Sequence, residues 1–590
     1  MDELKQRIAN LSAERREALR RLAPEQYAAL VAADHAGQAL EQQLKDIWSD
    51  VLGIAVARDD NYFELGGDSV LSVSIVAKAR AGGLPLSSTL LFRHPTVAGL
   101  AQALKQVLKQ VPAEHSGEPA IEPTAATAAV LAAPLTPLQL GMVFHSQHDA
   151  GQAAYVSQLS CALSGPLDRD RVEQAWKQLA QRHAVLQAAV DLDDPLHPRL
   201  RRYRDAMPSI EYRMLEGATA EAAQRSLQAF LEQDLAREFD LARAPLMRVT
   251  LLETEHGQHR CVWTHHHLLL DGWSQLIVLQ EFQSLYLGDV LPSVTTSFLD
   301  YANWLARRET DAAAAFWKTY LRGAAPLSLA HTATAATAKQ ARIAVRLAAA
   351  DIAVPALAKR LRLTPAVLLE AAWALALGQI AATAEVSFGL TASVRPAELP
   401  DSERIVGLCI NTLPMRIAIA HDGTVAAWLA GVQSAQHAWL EHAHAALPEV
   451  LRWTQAGKDL FDSLLVFENL PRQLAAQSGA VFREIADVVS TVREHYPLVL
   501  VVTPGEDFLA ELKYLPAAIG DEQAQTVMAL FECALHALHQ ETHMPALAAR
   551  LRAAAHARMQ TLREQRAADD RRLLLGARRA PVRLDTDAAS

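Results

Sequence analysis

Apolar residues in the first 110 positions recur at helical spacing. From Ala39 to Leu52 they fall at Leu40, Leu44, Ile47, Trp48, Val51 and Leu52, and Gly53 follows as a stop, which predicts an amphipathic helix. A polar, glycine-bearing loop, RDDNYFELGG, separates it from a second helical pattern that opens near Ser69 with Val70, Leu71, Val73, Ile75 and Val76. FRHPTVAGLAQAL supplies a closing helix with Pro95 near its start. Ahead of this unit, residues 1–37 read as polar helix with an approximate stripe of Leu4, Ile8, Leu11, Leu19 and Leu22, either a solvated lead-in or a docking helix for a partner protein.

The pattern changes after residue 110. Residues 111–133, with PAEHSGEPAIEPTAATAAVLAA at their heart, are rich in Pro, Ala, Glu and Thr and lack periodicity, as a semi-extended linker does. Beyond it, strand-like runs alternate with long helical patterns. VSQLSCALSG, LMRVTLLET, HRCVWTHHHLLL, AEVSFGLTASV, DSLLVFENL and PLVLVVTP are of the first kind; RDRVEQAWKQLAQRH and PAVLLEAAWALALGQ are of the second. This predicts an α/β domain over 134–543. Residues 544–590 are dense in Ala and Arg and read as a solvated helix and frayed tail, or as a connection to a further protein.

Composition narrows the function classes. A chain of 590 residues is long enough for more than one core, and 51% hydrophobic with 21% charged residues is an ordinary globular balance. A net charge of −10 argues against a nucleic-acid partner. The charged N-terminus has no apolar signal-peptide core and no apolar run reaches membrane-spanning length, so a soluble protein is expected. Cys161, Cys261, Cys409 and Cys533 form no CxxC pair, which suggests neither a thiolate zinc site nor a disulfide framework and fits a reducing cytoplasm.

Two stretches carry candidate chemistry. Gly66-Gly67-Asp68-Ser69 opens a helix; a serine there is a common N-cap, yet a helix N-terminus is also where backbone N–H groups favour a phosphodiester. No GxxxxGK[ST] accompanies it, so it is no nucleotide-binding loop. THHHLLLDGWS, residues 264–274, offers three histidines and Asp271 at a strand end, with His265 and His267 able to share a strand face. Without HExxH, Cys/His spacing or a GxSxG elbow, neither zinc nor a hydrolytic triad is favoured, and no metal is expected.

DNYFELGGDSVLSVSIVAKAR, with LKDIWSDVLG before it and LFRHPTVAGLA after it, resembles the peptidyl carrier domain of nonribosomal peptide synthetases. The resemblance spans about 38–109 and implies a small all-α four-helix bundle over 38–110. It also implies a covalent 4′-phosphopantetheine on Ser69, whose thiol holds an acyl chain as a thioester. Asp68 stands where many carriers have histidine.

HHxxxDG fits in one register, His266, His267, Leu268 to Leu270, Asp271 and Gly272, and resembles the active-site motif of the condensation domains that act with such carriers. PLTPLQLGMVFHS, RHAVLQAAV, SFLDYANWL, IVGLCINTLPMRI, LLVFENLP, HYPLVLVV and KYLPAAIG are similar to the family's other motifs in their expected order, over about 134–543. The resemblance implies two chloramphenicol-acetyltransferase-like lobes, about 134–305 and 306–543, forming a V-shaped pseudo-dimer with His267 in a tunnel at their junction. It further implies that His267 is directed at the reacting centre, His266 is mainly structural, Asp271 pairs with an arginine, expected to be Arg395 of ASVRP, and Gly272 lies beside the acceptor path. The reaction implied is amide formation between a donor acyl group on the Ser69 arm and the amine of an acceptor on another carrier.

Gln187 and Ala188 stand where the family's second motif has arginine and threonine, so a local contact is absent or supplied elsewhere. LQLGMVFHS and LLLDGWS resemble the subtype that accepts a D-configured donor. Implied partners are a phosphopantetheinyl transferase, an upstream adenylation or other loading domain, a downstream acceptor carrier, and other synthetase subunits through the terminal segments. The rival readings are an acyltransferase using a free amine or alcohol, and a catalytically inert recruitment module.

Overall fold

The computed structural model of the chain describes residues 24–110, 131–148, 155–163, 167–194, 197–216, 219–254, 259–330, 340–396, 398–457, 459–468, 496–505 and 507–577. The N-terminal stripe from Leu4 to Leu22, most of the expected linker and the end of the tail lie outside them.

The small domain is helical: α1 (Pro24–Leu52), α2 (Ser69–Ala81), α3 (Ser88–Arg93) and α4 (Val97–Gln110). One helix, α1, runs through the expected division at 37/38, so the second part of the lead-in and the first carrier helix are continuous. Leu44, Trp48, Tyr62, Ile75, Val76, Leu91, Leu100 and Leu104 are fully buried at its centre. Tyr62 organises the loop before α2. A side chain at Gly67 would collide with its ring, and its hydroxyl donates to the Asp68 carbonyl at 2.6 Å, so the glycine turn is pressed flat on the aromatic ring.

The large domain begins with a first lobe of two sheets. Strand β1 (Ala132–Pro134) begins inside the expected linker and crosses its end, and it pairs with β4 (Arg199–Arg202), which also pairs with β3 (Ala188–Asp191). The second sheet has the order β2 (Val156–Leu163), β7 (His259–His266), β6 (Met247–Thr254), β5 (Ser209–Leu215). Strand β7 is interior and has helices on both faces. Cys261 and Trp263 pack toward α6 (Arg169–Arg182) and α8 (Gly272–Leu287), whereas Val262 joins Leu227 of α7 (Ala220–Leu235) on the other side. Coverage on both faces makes HRCVWTHH a nearly continuous buried run instead of an alternating one. Helices α5 (Pro137–His148) and α9 (Phe298–Leu305) complete this lobe.

The second lobe starts at α10 (Asp311–Tyr320), whose Ala313 and Trp317 belong to its core. It holds β8 (Ala341–Leu347), α11 (Val354–Leu361), α12 (Pro365–Ala381), β9 (Glu385–Ser393), β10 (Ile410–Ala418), α13 (Val425–Glu441), α14 (Leu447–Thr454), β11 (Ser463–Phe467), β12 (Leu498–Thr503) and β13 (Phe508–Tyr514). Its six strands run in the order β10-β9-β11-β12-β13-β8. Between β9 and β10 the chain leaves this lobe: Leu399, Ile405, Val406, Leu408 and Cys409 are buried in the core of the first lobe. Gly407 makes that crossing fit, because a Cβ there would run into the Phe298 ring.

The end of the chain corrects the expected solvated tail. After α15 (Asp521–Gln540), helix α16 (Met544–Ala577) buries Met544, Leu547, Leu551 and Ala555 in the second lobe's core. These four recur three or four apart, so one stripe of an otherwise Ala- and Arg-rich helix faces inward. No single helix among the described residues is long and apolar enough to cross a membrane. Leu551→Ala is expected to cost about 2–5 kcal/mol, and ending the chain at residue 543 to cost more. Thermal melts of the large domain check both; an unchanged Tm would place the stripe outside the core.

Candidate active site

The histidine motif spans a strand end. His265 and His266 are the last residues of β7 and point to opposite faces, as strand geometry requires. His265 faces α8, where Gln275 Nε2 lies 3.2 Å from its Nε2, and its Nδ1 donates to the His266 carbonyl at 3.0 Å. His266 faces the other way. Its Nδ1 accepts the Leu268 N–H at 3.2 Å, and its Nε2 donates to Ser146 Oγ of α5 at 3.3 Å.

His267 lies beyond the strand, so it does not share a strand face with His265 as strict alternation would have it. Its backbone N–H donates to the carbonyl of Tyr155 at 2.7 Å, and Tyr155 is held at φ 59°, in the left-handed region. The His267 Nδ1–H donates to the Leu270 carbonyl at 2.8 Å. That bond fixes the tautomer and leaves Nε2 as the ring's acceptor. The side chain is half-buried and lines a cavity of about 640 Å³.

Burial keeps all three rings neutral. It pushes His265 and His266 down to about 3, with the neighbouring imidazoles adding to the effect. Burial also lowers His267, and Lys513 adds to this, while the bond to Leu270 and the charge of Asp271 work against it. Among the described residues no group of three His, Cys, Asp or Glu side chains could hold a metal ion.

Asp271 points away from the imidazole into a dry network. Arg395 Nη2 donates to both its carboxylate oxygens at 3.0 Å, the Ser274 N–H donates to Oδ1 at 2.7 Å, and the Cys409 N–H to Oδ2 at 2.9 Å. Asp271 thereby N-caps α8, whose first residue is Gly272. Arg395 also donates to Ser274 Oγ at 3.0 Å and to the Ile405 carbonyl at 2.8 Å, with its guanidinium 4.8 Å above the Trp273 ring. Asp271 and Arg395 are both buried. This pair bolts the histidine turn of the first lobe to the segment that crosses from the second.

The cavity draws its walls from both lobes and from the carrier. His267, Gly272 and Met142 come from the first lobe, Asn411, Gln436 and Phe467 from the second, and Val73 from α2 of the carrier. The carrier rests on the second lobe. Phe92 stacks on His437 of α13 at 4.4 Å, and Glu64 accepts from Arg362 Nε at 2.8 Å. Helix α2 also touches the 402–404 turn of the crossing segment.

Asp68, and not Ser69, caps α2: its Oδ1 accepts the Leu71 N–H at 2.9 Å and its carbonyl the Ser72 N–H at 3.0 Å. Ser69 is the first helical residue, so the capping role expected of serine at a helix start is already filled. Gln187 likewise resolves the altered second motif. Its amide donates to the carbonyls of Arg204 and Ala206 and accepts from Arg202 Nε at 2.9 Å, so the contact is supplied by backbone and a nearby arginine. Sequence reasoning assigned no role to Ser274, Tyr155, Glu370 or Gln436. Ser274 stands in the quoted DGWS, but a left-handed Tyr155 and side chains on separate helices leave no mark in a linear pattern.

Residues 131–560 match the family model described as the condensation domain, and residues 42–104 match the phosphopantetheine attachment site. The chain belongs to the condensation-domain family. A linear gramicidin synthase polypeptide of Brevibacillus parabrevis is 35% identical over 428 residues, covering 69% of this chain and 8% of that protein. Chondramide synthase cmdD of Chondromyces crocatus is 35% identical over 374 residues, covering 60% and 9%. The chain thus spans less than a tenth of the length of these relatives. Among solved structures, the condensation domain of the monacolin K polyketide synthase MokA superposes with a TM-score of 0.58 at 16% identity, covering 69% of this chain and 97% of that one. The first condensation domain of the calcium-dependent antibiotic synthetase, in complex with a substrate analogue, gives 0.57 at 17% identity, covering 72% and 98%.

The large domain is therefore a condensation domain by family, and the small one matches the class of domain that holds 4′-phosphopantetheine covalently. Membership of the carrier class implies modification by a phosphopantetheinyl transferase and contact with other synthetase domains.

Removing one member of the buried ion pair, as in Asp271→Ala or Arg395→Ala, is expected to cost about 3–5 kcal/mol because the other charge stays buried and unpaired. Denaturant melts measure it, and a loss under about 1 kcal/mol would contradict the pairing. A second expectation concerns pH. Unfolded imidazoles titrate near 6.5, and folded His265 and His266 near 3. The unfolded chain therefore binds the extra protons as pH falls, and their contribution, complete above about pH 6.5, is progressively lost as pH falls below it. Melts at pH 7 and pH 5 should show the drop, and His265→Gln should make it shallower. An identical slope in that variant would mean the ring is not buried neutral.

Proposed function

We propose that Ser69 is the attachment residue and that this carrier delivers the donor acyl group to His267, where the amine of an acceptor on a second carrier takes it up as an amide. One observation carries the reading: α2, the helix that begins at Ser69, lends Val73 to the wall of the same cavity that His267 lines. The local residues fit the group. Gly67 lies flat on Tyr62 and Asp68 satisfies the helix end, so attachment at Ser69 removes no cap. The motif wording LQLGMVFHS and LLLDGWS supports a D-configured donor. An upstream loading domain is the donor's source in this reading.

When bound, 4′-phosphopantetheine supplies a thiol whose acyl thioester is already activated toward attack. The chain's own residues have to place and deprotonate the amine. His267 is kept neutral by burial, and its Nδ1–H is engaged by Leu270, so Nε2 is the atom that accepts a proton. Nε2 would accept the proton that the amine nitrogen gives up on becoming an amide and would hold it for return to the leaving group, so that no proton is gained or lost overall. General-base help of this kind contributes about 10²–10⁴-fold. Confinement of both tethered reactants in one cavity adds an orientation term of larger reach. Asp271 and Arg395 hold the turn that aims the ring and do not touch the reactants.

Treatment with a phosphopantetheinyl transferase and acyl-coenzyme A, followed by intact mass measurement and reaction with an amine-loaded acceptor carrier, tests this. Ser69→Ala should stay at the unmodified mass. His267→Ala should load normally and lose product about 10²–10⁴-fold. An arm found on another residue, or undiminished product from His267→Ala, would overturn the reading.

A further inference from the structure

Helix α13 has two working faces. His437 and Glu441, four residues apart, face the carrier through Phe92 and Arg93, whereas Gln436 and Leu440, also four apart, line the cavity. The carrier's contact and the cavity wall are thus separated only by the body of one helix. Across the wall from Gln436 stands Glu370 of α12, and Gln436 Nε2 donates to Glu370 Oε1.

Glu370 is 2% exposed, yet its second oxygen, Oε2, has no hydrogen-bond partner among the described residues. Its helix neighbours Leu368, Leu369, Ala371, Ala372 and Trp373 are fully buried and apolar apart from one indole, so no ion-pair network explains the carboxyl. A buried polar atom without a partner destabilises the fold that holds it. Burial pushes the carboxyl up to about 8, so at neutral pH it carries a proton and can donate. The result is an acid hydroxyl held in place by a primary amide, in the wall between the docked carrier and the histidine.

We propose that Glu370 and Gln436 form a polar clamp that binds an amide group of the tethered donor on its way to His267, with the Glu370 hydroxyl donating to the amide carbonyl. The clamp rests on the reading of this cavity as the donor's path. A neutral acid beside a neutral amide suits an uncharged, hydrogen-bonding ligand, and a purely aliphatic chain would leave Oε2 unsatisfied. Amides of that kind occur both in the pantetheine arm and in a peptidyl cargo. Glu370 is a positioning residue here, not a catalytic one.

The test uses the full chain without its arm and reads binding by ligand-observed NMR. The probes are pantetheine, an N-acetyl dipeptide amide, and an amide-free thioether of similar length. The unaltered chain should bind at least one amide probe in preference to the thioether: pantetheine if the arm is the ligand, the dipeptide if the cargo is. Glu370→Leu should weaken that binding roughly tenfold, the worth of one hydrogen bond, with its Tm recorded alongside because Gln436 Nε2 loses its acceptor. Glu370→Gln, which restores a donor, should retain most of the binding. Equal affinity for all three probes, no binding of any, or a lower Tm in Glu370→Leu with binding unchanged would each overturn the clamp. His267-dependent product from the loaded chain is measured separately, so its persistence alongside indifference to Glu370 sinks the clamp alone.

Discussion

The site depends on one buried ion pair. Arg395 and Asp271 come from different lobes, and their bond decides where the turn after β7 sits relative to the segment that crosses from the second lobe. Such a pair adds little net stability, since the attraction between the charges is largely offset by their desolvation. Its worth is registration. Asp271 accepts from Ser274 and Cys409 as well as from Arg395, and Arg395 also holds the Ile405 carbonyl, so neither side chain can move without orphaning several buried groups.

Around that fixed point the three histidines divide by geometry. Strand parity sends His265 into α8 and His266 toward α5, where each ring is tied into the packing by bonds at both nitrogens. His267 escapes because the strand has ended, and among the described residues its ring is bonded at Nδ1. The same burial that lowers it would be a penalty for a cation; for a base it is an asset, because the ring stays unprotonated at working pH.

Much of this was legible in the chain. The HHxxxDG run fits one register only, and the family resemblance of ASVRP pointed to Arg395 as the partner of the aspartate. The α/β character and a compact helical unit followed from periodicity; the four-helix bundle followed from the resemblance. Other features were hidden for definable reasons. His265 and His267 share a face only while a strand continues, and a turn closed by the Leu269 N–H on the His266 carbonyl at 3.0 Å ends it. The inward stripe of α16 was masked by alanine and arginine, which make a helix look solvated whether or not one side is covered. Asp68 caps α2, so the alternative reading of Ser69 as a plain N-cap gives way because the helix begins one residue earlier than that reading assumes. Glu370 is embedded in an apolar run, and its relation to Gln436 spans 66 positions that no local pattern connects.

The small domain rests lightly on the second lobe. Its ion pairs with the second lobe are exposed: Arg362 with Glu64 at 2.8 Å and Arg93 with Glu441 at 3.8 Å. Pairs of this kind contribute about 0–1 kcal/mol each. Phe92 stacks on His437, which burial lowers to about 4, so that contact involves a neutral ring and no cation. In the proposed reading, a lightly held carrier can leave to be loaded and return. Yet α2 touches the 402–404 turn, whose Ser402 carbonyl accepts from Arg395 at 3.4 Å, so the docked carrier bears on the guanidinium that fixes the histidine turn. Light docking and a rigid site are therefore compatible: the seat rests on exposed ion pairs, while Arg395 next to that turn is fixed by its bonds to Asp271, Ser274 and the Ile405 carbonyl.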